Sequence, residues 1–316
     1  VNELKGLTKI KFIIFKLKTF LYRKINRDDL YYKLLLKNMI SLPKKYDIAI
    51  DYLGYGHYLS AYIAEKVAAN KKVMWIHDEK NDWLSKIDCW LDKYDKYFCV
   101  SKACISSLLV HHSKLKDKVE IFYNLINYKE IRKKAEEAVE CEFDNDICNI
   151  VTVGRIEWQK GYDIAIQVAE LLKKANFKFC WRVIGGGTLK EEMEKLVISK
   201  GLKDEFKFLG MQSNPFPYIK KADFYLQTSR HEGYGLAIAE ARVLGTIPIA
   251  TNLNCVREQI IDGETGFLCE LDSAKFAKKI IKVYNDKKLM KKVKNNLSCE
   301  NFDYSSELNK LYDLLK

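Results

Sequence analysis

From residue 46 onward, short runs of β-branched and aromatic residues alternate with longer segments whose apolar positions recur at the helical period. The segment 188–197 has this period, and Thr188 and Glu191 open it with the spacing of a capping box. The short runs predict nine strands: Tyr46–Leu53, Lys72–His77, Lys96–Val100, Lys118–Tyr123, Asn149–Val153, Phe179–Ile184, Phe206–Leu209, Phe224–Thr228 and Ile247–Ala250. Strict alternation of strand and helix favours an α/β fold with parallel sheets covered on both faces.

A charged segment from Glu130 to Asn145 carries no strand pattern and separates two groups of strands. We therefore expect two Rossmann-like, doubly wound domains that face each other across a cleft, with ligands beyond the carboxyl ends of the strands. The predicted divisions are a basic amphipathic region, an N-terminal domain with its linker, a C-terminal domain, and a last helix that packs back on the N-terminal domain. Their bounds are 1–45, 46–147, 148–298 and 299–316.

The N-terminal domain is expected to be incomplete, because the sequence predicts only four strands before the charged segment from Glu130 to Asn145. Residue 1 is Val, and the first methionine is Met39. These observations suggest a start at a non-ATG codon or a chain that has lost its beginning.

The net charge of +12 lies at the two ends of the chain. Residues 1–45 carry +9 and residues 271–316 carry +5, whereas residues 46–270 carry −2. A basic groove across the main fold is therefore disfavoured, and with it nucleic acid as a partner. The stretch 9–24 is both basic and apolar, so it could lie on an anionic membrane, although a core helix with outward lysines fits equally well.

Nine cysteines are present, with no C-x-x-C pair or metal-site spacing among them. An odd count and no cleavable signal peptide favour reduced thiols in a cytoplasmic protein. No apolar stretch is long enough for a membrane-spanning helix.

Two strands of the second half end in motifs suited to an anionic ligand. Gly154 to Gly161 reads G-R-I-E-W-Q-K-G and places Arg155 and Lys160 before a helix, whose N-terminus itself favours anions. This arrangement suits a diphosphate, although a solvated turn with two surface cations is the simpler alternative. No metal is expected to be required if these cations neutralise the diphosphate.

The second motif, Ser229 to Ala241, follows the strand Phe224–Thr228. Gly233 and Gly235 open the turn and expose the amides of Tyr234, Gly235 and Leu236 at a helix start. Two carboxylates, Glu232 and Glu240, are predicted near the same mouth, where they could accept hydrogen bonds from vicinal hydroxyls. Taken singly, each glutamate could equally be a solvated helix residue.

Three other segments contain residue types that are common in ligand-binding sites. His77 ends a strand in the first half and could face the cleft, or be satisfied by backbone. Asp144-Asn145-Asp146 has the D-x-D form of a metal-diphosphate site but lies in a charged linker, which disfavours that role. Gly185-Gly186-Gly187 lacks the dinucleotide-binding pattern, so hydride transfer is disfavoured.

Together, these motifs resemble the retaining GT-B glycosyltransferases of family 4, of the bacterial capsule and lipopolysaccharide type. The resemblance is carried by E-G-Y-G-L-A-I-A-E at 232–240, supported by G-R-I-E-W-Q-K-G, V-I-G-G-G-T-L at 183–189, F-L-G-M-Q-S-N-P at 208–215 and D-G-E-T-G-F-L at 262–268. It covers residues 46–316. The family's first strand and glycine-rich loop have no match in residues 1–45, which places activity in question.

The resemblance implies a role for each matched residue. Arg155 and Lys160 would hold the donor diphosphate near Gly154, Glu232 would contact the donor sugar, and Glu240 would bind the ribose hydroxyls. The turn at Gly233, with the amides of Tyr234, Gly235 and Leu236, would face the phosphates and sugar. His77 would contact the donor, and Gly185 and Met211 would lie near the base. Arg242 and Val243 replace the usual Met-Ala, with little expected effect.

The implied reaction is transfer of a hexose from a nucleotide sugar, expected to be a UDP-sugar, to a saccharide or lipid-linked saccharide, with retained configuration and without a cofactor. Two alternatives stay open. One is a donor-binding accessory subunit of a partner glycosyltransferase, and the other is a sugar-nucleotide 2-epimerase of the same fold.

Overall fold

The computed structural model describes residues 14–53, 56–139 and 141–316. The chain divides into two compact units, one comprising the residues up to Tyr123 together with Glu307–Lys316, the other comprising Asn124–Ser306. Part of the stretch 9–24, for which both membrane contact and a core helix are considered, lies outside the described residues. Its remainder, 14–24, is helical (α1). In the described part of the chain, every helix is too short or too polar to cross a membrane.

The first unit is built on a four-stranded parallel sheet in the order β1-β2-β3-β4. Its strands are β1 (Lys45–Asp51), β2 (Ala68–Ile76), β3 (Lys96–Cys99) and β4 (Val119–Ile121). Its helices are α2 (Asp28–Lys37), α3 (Tyr58–Lys66), α4 (Asp88–Leu91) and α5 (Lys102–His111), with 3-10 turns at Asp82–Ile87 and Ser113–Lys118. The last helix, α14 (Ser305–Asp313), bonds to this unit, because the Glu307 carboxylate accepts from the Tyr123 N–H at 3.0 Å.

The second unit contains a six-stranded parallel sheet. Its strands are β5 (Cys148–Val153), β6 (Phe179–Ile184), β7 (Phe206–Gly210), β8 (Phe224–Gln227), β9 (Ile247–Thr251) and β10 (Phe267–Cys269). Its helices are α6 (Tyr128–Lys134), α7 (Tyr162–Lys174), α8 (Lys190–Ser199), α9 (Phe216–Lys221), α10 (Leu236–Val243), α11 (Asn254–Arg257), α12 (Ser273–Asn285) and α13 (Lys287–Ser298), and a 3-10 turn covers Trp158–Lys160.

The strand order of this sheet, β10-β9-β8-β5-β6-β7, is that of a complete Rossmann domain. Crossovers run in one direction from β5 to β7 and in the other from β8 to β10. The order therefore reverses between β5 and β8, which pair directly. At such a switch point the loops after the two strands diverge and leave a crevice for a ligand.

Burial on both faces explains why these strands read as continuous apolar runs. All six residues of β6 are buried, including Trp181 and even Arg182. Helix α7 packs on the sheet through a stripe of small and branched side chains, among them Ala165, Ile166 and Val168. The predicted doubly wound α/β architecture is confirmed.

All nine predicted strands are present, with ends that differ by at most four residues. Strand β10 was not predicted, because it is only three residues long and follows a turn-rich segment. The predicted capping box at Thr188 is wrong. Helix α8 has no side-chain cap, because the Thr188 N–H and hydroxyl donate to Glu157 instead, at 3.0 and 2.8 Å.

The domain boundary also differs from the prediction of 147/148, because the chain divides at Tyr123 and Asn124. The reason is that α6 packs on the second unit. The Arg132 guanidinium donates to the Val243 carbonyl at 3.2 Å, and the Asn214 amide donates to the Lys134 carbonyl at 2.8 Å. Residues up to Ser306 also stay with the second unit, so α14 supplies the residues that rejoin the first.

Candidate active site

The two motifs singled out in the sequence follow β5 and β8, the strands that flank the switch point. The loop after β5 runs from Gly154 to Gly161, and the loop after β8 runs from Thr228 to Gly235. The fold thus places side by side two segments that lie about seventy residues apart in sequence.

An ion pair joins the two loops. The Lys160 ammonium lies 2.6 Å from Oε1 of Glu232, and their side chains are 21% and 7% exposed. The same Oε1 accepts from the Gln227 amide at 3.1 Å and from the Ser229 hydroxyl at 2.6 Å. Three donors therefore fix this carboxylate, and its burial is compensated by a full charge and two hydrogen bonds.

Gln227 and Ser229 are part of the site that sequence reasoning missed. Gln227 is itself oriented, because its side-chain oxygen accepts from the Tyr225 hydroxyl at 3.0 Å. Ser229 lies three residues before the E-G-Y-G motif, and spacing alone does not reveal that its hydroxyl donates to Glu232. The signal available was only that both residues flank the end of a buried strand.

A second pair holds the loops in register. The Arg230 guanidinium binds Asp163, at the start of α7, through two hydrogen bonds of 2.9 and 2.6 Å. It also donates to the Trp158 carbonyl at 2.8 Å and lies 4.7 Å from the centre of that indole ring. A bidentate Arg–carboxylate pair fixes orientation as well as distance, so it sets the position of Glu232 two residues away.

Close backbone contact between the loops requires glycine at 161. Its φ is +64°, and a Cβ there would lie 2.1 Å from the Thr228 carbonyl oxygen. The position opens α7 in a left-handed conformation that other residues rarely adopt. This glycine brings the Lys160 backbone next to the strand that precedes Glu232.

The glycines after β6 serve packing between loops. A Cβ on Gly185 would lie 2.0 Å from the Gly154 carbonyl, and one on Gly187 would lie 2.4 Å from the Ile156 carbonyl. The Gly185 N–H donates to the Gly210 carbonyl at 2.8 Å. Gly185, predicted near the base, therefore packs against the Gly154 backbone and bonds to the Gly210 carbonyl.

Gly154 differs from these glycines, because a Cβ there would make only ordinary contacts, the nearest at 3.6 Å to Lys160 and to Tyr162. The Tyr162 hydroxyl donates to the Gly154 carbonyl at 3.0 Å, and burial raises the pKa of Tyr162. The Lys160 side chain therefore passes beside Gly154. Arg155, on the same turn, is exposed.

Met211 follows β7 and is exposed, with its Cγ 3.3 Å from the position of a Cβ on Gly186. It therefore borders the loop after β6. The predicted base-side residues Gly185 and Met211 are brought onto adjoining loops, next to the Gly154 turn.

Helix α10 begins at Leu236, after Gly235 with φ +90°. Tyr234 and Gly233 are buried, and the Gln259 amide donates to the Tyr234 carbonyl. The first amides of a helix have no intrahelical partner, so this end of α10 offers donors and a partial positive charge.

Glu240 lies on the second turn of α10. Within the described part of the chain its carboxylate has neither a hydrogen-bond nor a charged partner, and burial raises its pKa to about 7. An uncompensated carboxylate of this kind typically marks a functional position.

Arg242, the departure from the family pattern, pairs with Glu300 at 2.7 Å and lies 5.8 Å from the Phe302 ring. It therefore anchors the segment that follows α13.

His77 belongs to the first unit, at the end of β2. Its Nε2 lies 2.6 Å from the Tyr52 carbonyl, and because a carbonyl only accepts, this nitrogen carries the proton. Burial lowers the pKa of His77, although the Tyr52 hydrogen bond opposes this effect.

The D-x-D segment closes a local turn, in which the Asp146 N–H donates to the Asp144 side chain at 2.8 Å. Among the described residues, no group of three His, Cys, Asp or Glu side chains could hold a metal ion.

The switch point brings together the exposed Arg155, the partly buried Lys160, the fixed Glu232 carboxylate and the start of α10. The Glu240 carboxylate lies on the second turn of the same helix. Cations and helix amides suit a phosphate group, whereas the carboxylates suit hydroxyl groups. The arrangement fits a ligand that carries both.

Comparison with known proteins agrees with this chemistry. A model of the family described as glycosyl transferases group 1 matches residues 134–298, and the chain belongs to this family.

Two relatives illustrate the likeness. The chain is 29% identical over 229 residues to the N-acetylgalactosamine-N,N'-diacetylbacillosaminyl-diphospho-undecaprenol 4-alpha-N-acetylgalactosaminyltransferase of Campylobacter jejuni, which covers 71% of this chain and 60% of the relative. It is 30% identical over 205 residues to an uncharacterized glycosyltransferase of Methanocaldococcus jannaschii, covering 64% and 53%. The chain thus spans between half and three fifths of the length of these curated relatives.

Solved structures show the fold. HepE of Anabaena in complex with UDP-glucose superposes with a TM-score of 0.70 at 16% identity, over 85% of this chain and 78% of that one. A glycosyltransferase from Rickettsia africae superposes with a TM-score of 0.69 at 20% identity, over 92% and 80%. These likenesses show the GT-B fold.

Proposed function

We propose that this chain is a retaining glycosyltransferase that moves a hexose from a nucleoside diphosphate sugar, expected to be a UDP-sugar, to a saccharide or lipid-linked saccharide in cell-surface polysaccharide synthesis. The observation that carries the proposal is the Lys160–Glu232 pair, held at the switch point by Gln227 and Ser229. A diphosphate sugar presents both the negative charge that Lys160 attracts and the hydroxyls that Glu232 accepts from.

In the proposed reaction, the bond between the anomeric carbon and the diphosphate oxygen breaks, and the acceptor oxygen bonds to that carbon on the same face. The acceptor hydroxyl gives its proton to the departing diphosphate oxygen as the bond forms. The leaving diphosphate gains charge as its bond to carbon breaks, and in this proposal Lys160, Arg155 and the start of α10 stabilise that charge without a metal or cofactor. Glu232 orients the sugar, and Glu240 binds the ribose hydroxyls.

The acceptor and the cellular location are proposed on separate grounds. The name of the Campylobacter jejuni relative describes a diphospho-undecaprenol saccharide as acceptor. The described part of the basic stretch 9–24 is a helix that exposes Leu17, Phe20 and Leu21 beside its lysines. We therefore propose a cytoplasmic enzyme that lies on the inner face of the cell membrane.

The test is sugar release and transfer from a panel of nucleotide sugars, followed by mass spectrometry. Lys160→Ala and Glu232→Gln should each abolish turnover. Lys174→Ala and Glu170→Gln are matched controls, because this pair on α7 has a similar distance of 2.8 Å but is less buried, with side chains 66% and 23% exposed. Turnover near wild type in the Glu232 variant contradicts the proposal.

The same assay separates the two alternatives. Nucleotide binding without turnover by the wild-type chain favours an accessory subunit. Conversion of the donor to its epimer without an acceptor favours a 2-epimerase.

A further inference from the structure

Helices α12 and α13 carry a charge imbalance that the rest of the second unit lacks. Between Ser273 and Ser298 there are nine lysines and a single acidic residue, Asp286. That aspartate caps α13 by accepting from the Leu289 N–H at 2.9 Å. Since residues 46–270 are slightly acidic, the imbalance is a local property of these two helices.

Four of the lysines form a stripe on α12. Lys275, Lys278, Lys279 and Lys282 are spaced i, i+3, i+4 and i+7, which places them on one face of the helix. Considering all residues that the structure describes, none of the four forms an ion pair. Like charges at this spacing repel, so the stripe is unfavourable for the helix alone.

Four lysines elsewhere in the same unit do have carboxylate partners. Lys173, Lys174, Lys190 and Lys200, on α7, at the start of α8 and in the turn after it, each lie within 3.5 Å of a glutamate carboxylate. Among the residues that the structure describes, the stripe differs from these four lysines in having no such partner.

The stripe borders a cavity of about 610 Å³, whose opposite wall is the edge strand β10. Arg257 adds a fifth cation, and Phe267, Val283 and Leu289 line it with apolar surface. The Lys279 ammonium lies 5.6 Å from the centre of the Phe267 ring.

Two carboxylates also line the cavity, and both have other partners. Asp262 accepts from the Leu268 N–H at 2.8 Å, and Glu270 accepts from the Asn252 amide at 3.4 Å. The lining remains net positive, with five cations against these two carboxylates.

We propose that this surface, formed by the α12 lysine stripe and the adjoining β10 cavity, docks on an anionic phospholipid bilayer. A bilayer fits better than one small anion, because the stripe extends over about two turns of helix and α13 carries five further lysines. Beside it, Ile261 and Leu271 expose 65% and 39% of their surface and can enter the interface. Lysine clusters on amphipathic helices attract anionic headgroups in this way.

The surface shares no residue with the candidate active site or with the stretch 9–24, so the inference stands independently of the proposed sugar transfer and adds a second surface to the proposed membrane location. Loss of vesicle binding should therefore leave sugar transfer in solution unchanged, and loss of sugar transfer should leave vesicle binding unchanged.

The experiment is flotation of the purified chain with vesicles of phosphatidylcholine alone or mixed equally with phosphatidylglycerol. The test variant replaces all four stripe lysines by glutamine. The matched control is Lys173→Gln, Lys174→Gln, Lys190→Gln and Lys200→Gln, which removes the same charge from the same unit. Circular dichroism and urea unfolding check that both variants are folded.

The proposal predicts binding only to the anionic vesicles, with about a fivefold loss for each stripe lysine and roughly a 600-fold loss for all four if the losses multiply. The control should lose less than about fivefold. Wild-type flotation should also vanish at about 0.5 M salt, where screening is strong, a check that does not depend on any variant.

Three results overturn the proposal. One is equal flotation of the stripe variant and the control. Another is binding that depends on lysines of residues 9–24 but not on the stripe. The third is wild-type binding to duplex DNA with none to the vesicles.

Discussion

The burial of Glu240 leads to a prediction about the stability of the fold, which can be tested without any assay of sugar transfer. Its pKa is raised from 4.5 to about 7 by burial, with no partner among the described residues to offset this. The unfolded chain ionises this group near its ordinary pKa, so stability is greatest at low pH and is lost as pH rises towards 7. At about 1.4 kcal/mol per pKa unit, the ionised group lowers the free energy of unfolding by about 3 kcal/mol at pH 8.

Glu240→Gln removes this penalty, because glutamine does not ionise. We expect the free energy of unfolding in urea to rise by about 3 kcal/mol at pH 8 and by less than about 1 kcal/mol at pH 5. Glu192→Gln, at an exposed position of α8, is the control and should change stability by less than about 0.5 kcal/mol at either pH. An equal effect of Glu240→Gln at both pH values would refute the reasoning.

The same variant tests the functional role of Glu240. A carboxylate that binds ribose hydroxyls contributes about 1.5–3 kcal/mol, so Glu240→Gln should weaken UDP binding by about ten- to a hundredfold. A variant that is more stable yet binds UDP as tightly as the wild type contradicts the ribose assignment. Stability and nucleotide affinity therefore have to change in opposite directions.

Two further predictions concern single positions. Gly161→Ala should destabilise the second unit by more than about 2 kcal/mol in thermal or urea unfolding, because its Cβ would lie 2.1 Å from the Thr228 carbonyl. Gly245→Ala also has positive φ but open space around it, so it should lose only about 1 kcal/mol, and equal losses would contradict the contact. His77 should titrate below its usual pKa of 6.5 in an NMR experiment, as the neutral tautomer protonated at Nε2, and a midpoint above 6.5 would contradict the burial argument.

The sheets were predictable from sequence because parallel strands are buried on both faces. The strand Phe179–Ile184 was placed to the residue, since all six of its side chains are buried. Strand β10 was not predicted, because three residues after a turn carry too little pattern. Tertiary contacts decided the domain boundary, since α6 is a charged helix that packs on the second unit through Arg132.

The candidate site was only partly predictable. The motifs located Lys160 and Glu232, because cations and carboxylates after strand ends are visible in the sequence. Their direct contact was not predictable, since it depends on β5 pairing with β8 across about seventy residues. At Thr188 the local pattern predicted a helix cap that is not formed, because the Thr188 hydroxyl donates to Glu157, which is distant in sequence.

The most direct test of the central claim is isothermal titration of the chain with UDP and other nucleoside diphosphates, comparing the wild type with Lys160→Ala. We expect saturable binding at one site, weakened at least tenfold by Lys160→Ala, whereas Lys174→Ala should bind as the wild type does. Absence of binding to every nucleoside diphosphate, or equal affinity of the Lys160 variant, would contradict a donor site at this switch point.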